Sequence, residues 1–120
     1  MKSHAVSSHT FGWVLVLTAF AAAAQAPQGS VERGKKVYTE KWCHTCHGTV
    51  GQGGERGAGP RIAPNPFPYE AFVLQTRRPR AVMPRYPVEF LSDQEMADLY
   101  AYVASIKRGP SAKDIPLLRE

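Results

Sequence analysis

Apolar residues recur at helical spacing in three stretches of this chain, and the segments between them carry no regular pattern. In the first, Val31, Gly34, Val37, Tyr38 and Lys41 fall along one stripe, with Ser30 placed as N-cap and Glu32 in the first turn, which predicts a helix over residues 31–42. The second is short: Pro68 suits a first helical turn, Phe72, Val73 and Thr76 can face inward, and Pro79 stops the run. The third is the clearest. Ser92-Asp93-Gln94-Glu95 reads as a capping box, Met96, Leu99, Val103 and Ile106 follow at helical spacing, and Gly109-Pro110 ends the run. Between these stretches, residues 48–59 hold six glycines and predict a loop, and residues 62–68 hold three prolines and predict extended chain. No internal repeat is visible, so the pattern predicts one all-α unit with long irregular connections.

The start of the chain has a different character. Lys2 gives a short positive region, residues 11–24 form an apolar run of 14 residues rich in Val, Leu and Ala, and small residues close it, the layout of a secretory signal peptide over residues 1–24. A membrane helix needs roughly 20 apolar residues, so no stable membrane span is expected and a retained anchor is the second choice. Two small-x-small cleavage sites compete, Ala22-Ala23-Ala24 and Ala24-Gln25-Ala26; the first is preferred because the second would put the rigid ring of Pro27 at the scissile bond. The 96 residues that follow suffice for one small domain, residues 25–110, with residues 111–120 as a tail that is either frayed or a docking strap.

Candidate chemistry concentrates in Cys43-His44-Thr45-Cys46-His47, which uses both cysteines of the chain. Two thiols at i and i+3 followed at once by a histidine form the attachment signature of a c-type haem: Cys43 and Cys46 would bond the porphyrin, and His47 sits where its imidazole can reach the iron. A thioredoxin-like redox pair wants a βαβ pattern, and no strand precedes Cys43. A zinc site needs four ligands, and the other histidines, His4 and His9, lie in the segment expected to be removed. His44 reads as a solvent-facing spacer. A buried haem would also give a marginal core a large apolar body to pack on, so folding should be coupled to cofactor attachment.

The order of parts extends the argument. A helix, Cys-x-x-Cys-His, a Gly-Pro loop, a short helix, Met-Pro and an amphipathic last helix resemble, over roughly residues 30–107, a monohaem class I c-type cytochrome of the short bacterial periplasmic type. Gly34 and Tyr38 are similar to the glycine and aromatic of that family's first helix, and Leu99 and Tyr102 to the leucine and tyrosine of its last, the two helices crossing where Gly34 permits close approach. The resemblance implies a small cytochrome c fold of three main helices and long loops around one covalently bound haem c. It implies that the carbonyl of Pro60, in Gly59-Pro60, accepts the second nitrogen of His47, and that Met83, followed by Pro84, is the second axial ligand. Met96, on the core stripe of the last helix, is expected to be packing. The connection from His47 to Met83 spans 36 residues, shorter than in mitochondrial members, which suggests an uncovered haem edge.

Function follows from the same resemblance. With His47 and Met83 both on the iron, no open position remains for a substrate, so the chain is expected to be a periplasmic one-electron carrier rather than an enzyme. A dedicated cytochrome subunit of a periplasmic dehydrogenase, held by the tail, and a ligand-binding or peroxidatic haem protein are the alternatives. Trp42, Phe67, Phe72 and Tyr86 are candidate haem-packing aromatics, each equally able to be ordinary core. Lys and Arg number 15 against 10 Asp and Glu, and Arg77, Arg78, Arg80 and Arg85 cluster around Met83. They predict a cationic rim that steers redox partners with acidic docking surfaces, or one that balances the haem propionates; a nucleic-acid role does not fit an exported haem protein.

Overall fold

The first stripe folds as α1, Val31–Glu40, and Ser30 caps it as its sequence position requires, its hydroxyl accepting the Arg33 N–H at 3.3 Å. The computed structural model describes residues 28–118; the proposed signal peptide lies outside them. α1 ends two residues sooner than its pattern suggests because Trp42 takes a left-handed conformation (φ 64°, ψ 19°) that breaks the helix and redirects the chain. A one-turn helix, α2, Cys43–His47, follows at once. α3 is Tyr69–Arg77 and α4 is Asp93–Ser105. The fold is all-α: no strand occurs among the described residues.

α4 begins with both halves of the capping box made. The Glu95 N–H donates to the Ser92 hydroxyl at 3.2 Å, and the Ser92 N–H donates to the Glu95 carboxylate at 2.7 Å. The helix stops at Ser105, ahead of Gly109-Pro110: Ile106 is extended, and the Ser105 hydroxyl donates to the Tyr102 carbonyl at 2.7 Å, occupying an acceptor of the last turn. Residues 48–59 form the expected loop apart from a single 3-10 turn at Glu55–Gly57, and residues 62–68 contain no helix.

α1 and α4 cross at Gly34. A Cβ there would overlap the Asp98 carbonyl and come within 2.8 Å of the Tyr102 Cβ, so the close crossing depends on the missing side chain. Around it Val37, Tyr38, Met96, Leu99, Tyr102 and Val103 form the core, with the Tyr38 and Tyr102 rings 5.4 Å apart. Asp98 is the buried polar group of this crossing. It accepts the Arg33 guanidinium through two contacts of 2.7 and 2.9 Å, the Ser30 N–H at 2.7 Å and the Gln94 amide at 3.1 Å. α3 lies across α4 through Tyr69 and Phe72, both edge-on to Tyr100. The tail folds as two 3-10 turns, Ala112–Asp114 and Pro116–Leu118. Among the described residues no helix is long and apolar enough to cross a membrane.

Candidate cofactor site

Breaking α1 at Trp42 has a direct consequence for chemistry. On the single turn of α2, residues 43, 46 and 47 share one face, and that face turns toward a cavity of about 960 Å³. Both thiols are free and half-buried. Desolvation pushes the Cys43 thiol up to about 11, which keeps it protonated at neutral pH.

His47 is buried, and its orientation is fixed by the glycine loop. Gly48 turns the chain out of α2 at φ 80°, and the loop folds back with the Gly53 N–H on the His47 carbonyl at 2.8 Å and the Gly54 N–H on the Gly59 carbonyl at 3.0 Å. Gly59 rides directly on α2, where a Cβ would fall 2.6 Å from the Cys46 carbonyl oxygen. That close approach brings the next residue to the imidazole: His47 Nδ1–H donates to the Pro60 carbonyl at 2.8 Å. Nε2 is therefore the ring nitrogen left for the cavity that His47 lines.

The other wall is α3 and the segment that follows it. Met83 lines the cavity, half-buried, and Gln75 Nε2 lies 3.8 Å from its sulfur. The Met83 segment has no helix of its own and is tied to the end of α3. The Tyr86 N–H donates to the Thr76 carbonyl at 3.2 Å, the Tyr86 hydroxyl to the Lys41 carbonyl at 3.1 Å, and Arg77 to the carbonyls of Tyr86 and Leu91 at 2.9 and 2.6 Å and to Asp93 at 2.7 Å.

All the residues singled out in the sequence, Cys43, Cys46, His47, Pro60 and Met83, border this one cavity. So do the four aromatics, Phe72 and Tyr86 buried, Trp42 and Phe67 about two-thirds exposed (66% and 65%). Met96 is fully buried in the core and does not line it. The arginines divide. Arg78 and Arg80 are exposed and border the cavity, Arg85 is exposed away from it, and Arg77 is turned inward as a structural tie, which removes it from the expected cationic rim. His44 is half-buried rather than solvent-facing, stacked on Trp42 at 6.1 Å, with its Nδ1 unpartnered.

Gln75 and the inward role of Arg77 were not anticipated. Gln75 stands one turn beyond Phe72, and a polar residue at that spacing from an inward phenylalanine was the available signal. Arg77 had none, because its acceptors lie 9 to 16 residues further along the chain.

The donor set and the walls fit haem c. The cavity lies near the upper end of the roughly 300–1,000 Å³ spanned by cofactor sites, and Phe72, Leu91 and Leu99 give it an apolar lining. Two free thiols and an imidazole open on it from one face, and a thioether from another segment. The chain belongs to the family described as cytochrome c oxidase, cbb3-type, subunit III, which matches residues 29–103. It is a c-type cytochrome, and its role is haem-based electron transfer. No curated protein and no solved structure matches the chain.

Proposed function

We propose that this chain is a periplasmic carrier of single electrons, exported by residues 1–24 and folded over residues 25–110 around one covalently attached haem c. The convergence of Cys43, Cys46, His47 and Met83 on one cavity carries this reading. When bound there, haem c supplies a reversible one-electron couple at iron. Cys43 and Cys46 would anchor it through thioether bonds, and His47 and Met83 would hold its iron. The Pro60 carbonyl fixes the tautomer and raises the basicity of His47. Tyr86, tied to Thr76, Arg77 and Lys41, anchors the segment that carries Met83, so the thioether would stay at the cavity. Arg78 and Arg80 present positive charge beside the opening, which favours partners with acidic docking surfaces.

Because each thiol forms its own bond, Cys43→Ser/Cys46→Ser protein exported to the periplasm should carry no haem that survives acid-acetone extraction, and its mature mass should equal that of the bare polypeptide from residue 25. The parent should be heavier by one haem; covalent haem in the double variant would overturn the reading.

A second reading, a dedicated electron-transfer subunit of a larger oxidoreductase complex, is favoured by the family's description and by the exposed tail, where Leu117 is 94% accessible. Copurification of a catalytic subunit with full-length protein, lost when residues 111–120 are removed, would select it.

A further inference from the structure

A second, smaller hollow lies outside the cofactor cavity and shares no lining residue with it. The extended chain after Gly59 is the wall between the two. Pro60 and Ile62 border the cavity, Arg61 and Ala63 the hollow, as the alternation of extended backbone requires. The Gly51 carbonyl accepts the N–H groups of Ile62 and Ala63 at 2.9 and 3.0 Å, which locks the glycine loop to that wall. Ile106, Lys107 and Arg108, just past the end of α4, close the other side.

The floor is apolar, built from Val50, Ala63 and Ile106, while the polar side chains offer donors. The Val50 N–H takes the Gln52 amide oxygen as acceptor at 2.9 Å, which leaves the NH2 end of that amide to donate. Arg61, Lys107 and Arg108 are exposed, and no acidic residue lines the hollow. Among the described residues no ion pair holds any of the three. Cations beyond a helix C-terminus commonly complement its dipole, and Lys107 and Arg108 alone would need no other role. Arg61 has no such reason to be there. It comes from a separate stretch of chain and does not border the cofactor cavity. Three like charges gathered at one hollow repel one another, and an anion placed among them relieves that repulsion.

We infer that this hollow is a second docking site, which captures an extended acidic segment of a partner protein apart from the face that exchanges electrons. A glutamate or aspartate lays its methylene stem on Val50 and Ile106 and gives its carboxylate to the arginines, whose planar fork suits two parallel hydrogen bonds. The volume, about 250 Å³, is below the roughly 300–1,000 Å³ of sites that enclose a small molecule and suits one or two side chains. A segment held here leaves the cavity lining uncovered, so the contact tethers a partner without blocking electron exchange. The inference does not depend on which groups ligate the iron.

The test uses full-length protein matured with haem, reduced and labelled with nitrogen-15. Titration with a capped tetraglutamate peptide at low salt should shift the Gln52 side-chain amide and the Arg61 Nε–H resonances saturably. Arg61→Ser/Arg108→Ser protein should keep the parent's absorption spectrum and bind the peptide about tenfold more weakly, the scale of removing two such cations. Arg78→Ser/Arg80→Ser protein should bind it through the hollow nearly as the parent does. Shifts confined to residues bordering the cavity, or equal affinity in the Arg61/Arg108 variant, would overturn the inference. So would inorganic phosphate that occupies the hollow and is not displaced by the peptide, which would make it a site for a free oxyanion. Cosedimentation with phosphatidylglycerol vesicles that is lost in the Arg61/Arg108 variant, without peptide shifts in the parent, would replace the protein partner with a membrane surface.

Discussion

At the scale of single residues, Arg77 shows how a side chain can serve a site that it does not border. Its guanidinium satisfies the backbone carbonyls of two buried residues, Tyr86 and Leu91, and keeps only 17% of its side chain accessible, so its removal leaves those two carbonyls without this donor; its third acceptor, Asp93, is exposed. Arg77→Gln should lower the unfolding free energy by about 1–3 kcal/mol. It should also loosen the Met83 segment, so added imidazole should bind the ferric protein more tightly than it binds the parent; imidazole titration and denaturant unfolding check the two effects separately. The sequence suggested a different part for this residue, as one of four equivalent surface charges. Adjacent arginines cannot be told apart by composition. What separates Arg77 from Arg78 is the helical turn that aims one at Leu91 and the other at the cavity. That Cys43, Cys46 and His47 share one wall of the cavity was legible for the opposite reason, since the motif that groups them is written within five residues.

At the scale of elements, the α1 and α4 pairing rests on a glycine contact and one buried carboxylate. α4 was legible almost to its ends, because a capping box and an amphipathic stripe are both written within a few residues. The Asp98 network was not, because Ser30 and Arg33 stand more than 60 residues from it. The Arg33 guanidinium and the Ser30 and Gln94 donors hold the Asp98 carboxyl below its usual value of 3.8 despite burial, which acts the other way. A carboxyl with a lowered folded-state pKa adds stability that is fully present above its unfolded value and is lost as pH falls through the folded one. Thermal unfolding should therefore show a decline in stability beginning near pH 4 and steepening below it, and Asp98→Asn should flatten that acid limb. The same variant should lose about 1.5–3 kcal/mol at neutral pH, where the parent's carboxylate accepts charge-assisted hydrogen bonds. An acid limb identical to the parent's would mean that other carboxylates dominate the acid response.

At the scale of the whole molecule, the cavity exists because separated stretches meet: α2, the loop reaching Pro60, α3 and the segment through Met83, with Tyr38 of α1 and Leu99 of α4 behind them. Each stretch could be named from sequence, yet the side of the opening on which charge gathers depends on how they pack. Packing leaves Arg78 and Arg80 exposed at the border of the cavity, beside Val82, which is 89% accessible. An apolar patch flanked by cations suits brief docking, with charge guiding encounter and apolar contact closing the last few ångströms. Exposed charges contribute little to stability but shape the long-range field. Arg78→Glu/Arg80→Glu protein should therefore keep the parent's absorption spectrum and unfolding midpoint, yet accept electrons from an acidic partner about tenfold more slowly at low salt. The gap should narrow as the Debye length falls toward about 8 Å at physiological ionic strength. Arg85, equally exposed but away from the cavity, supplies the control: Arg85→Glu should change the rate much less. If these arginines acted only by balancing haem propionates, the double variant would shift the midpoint potential instead, and stopped-flow rates corrected for driving force would coincide with the parent's at every salt concentration.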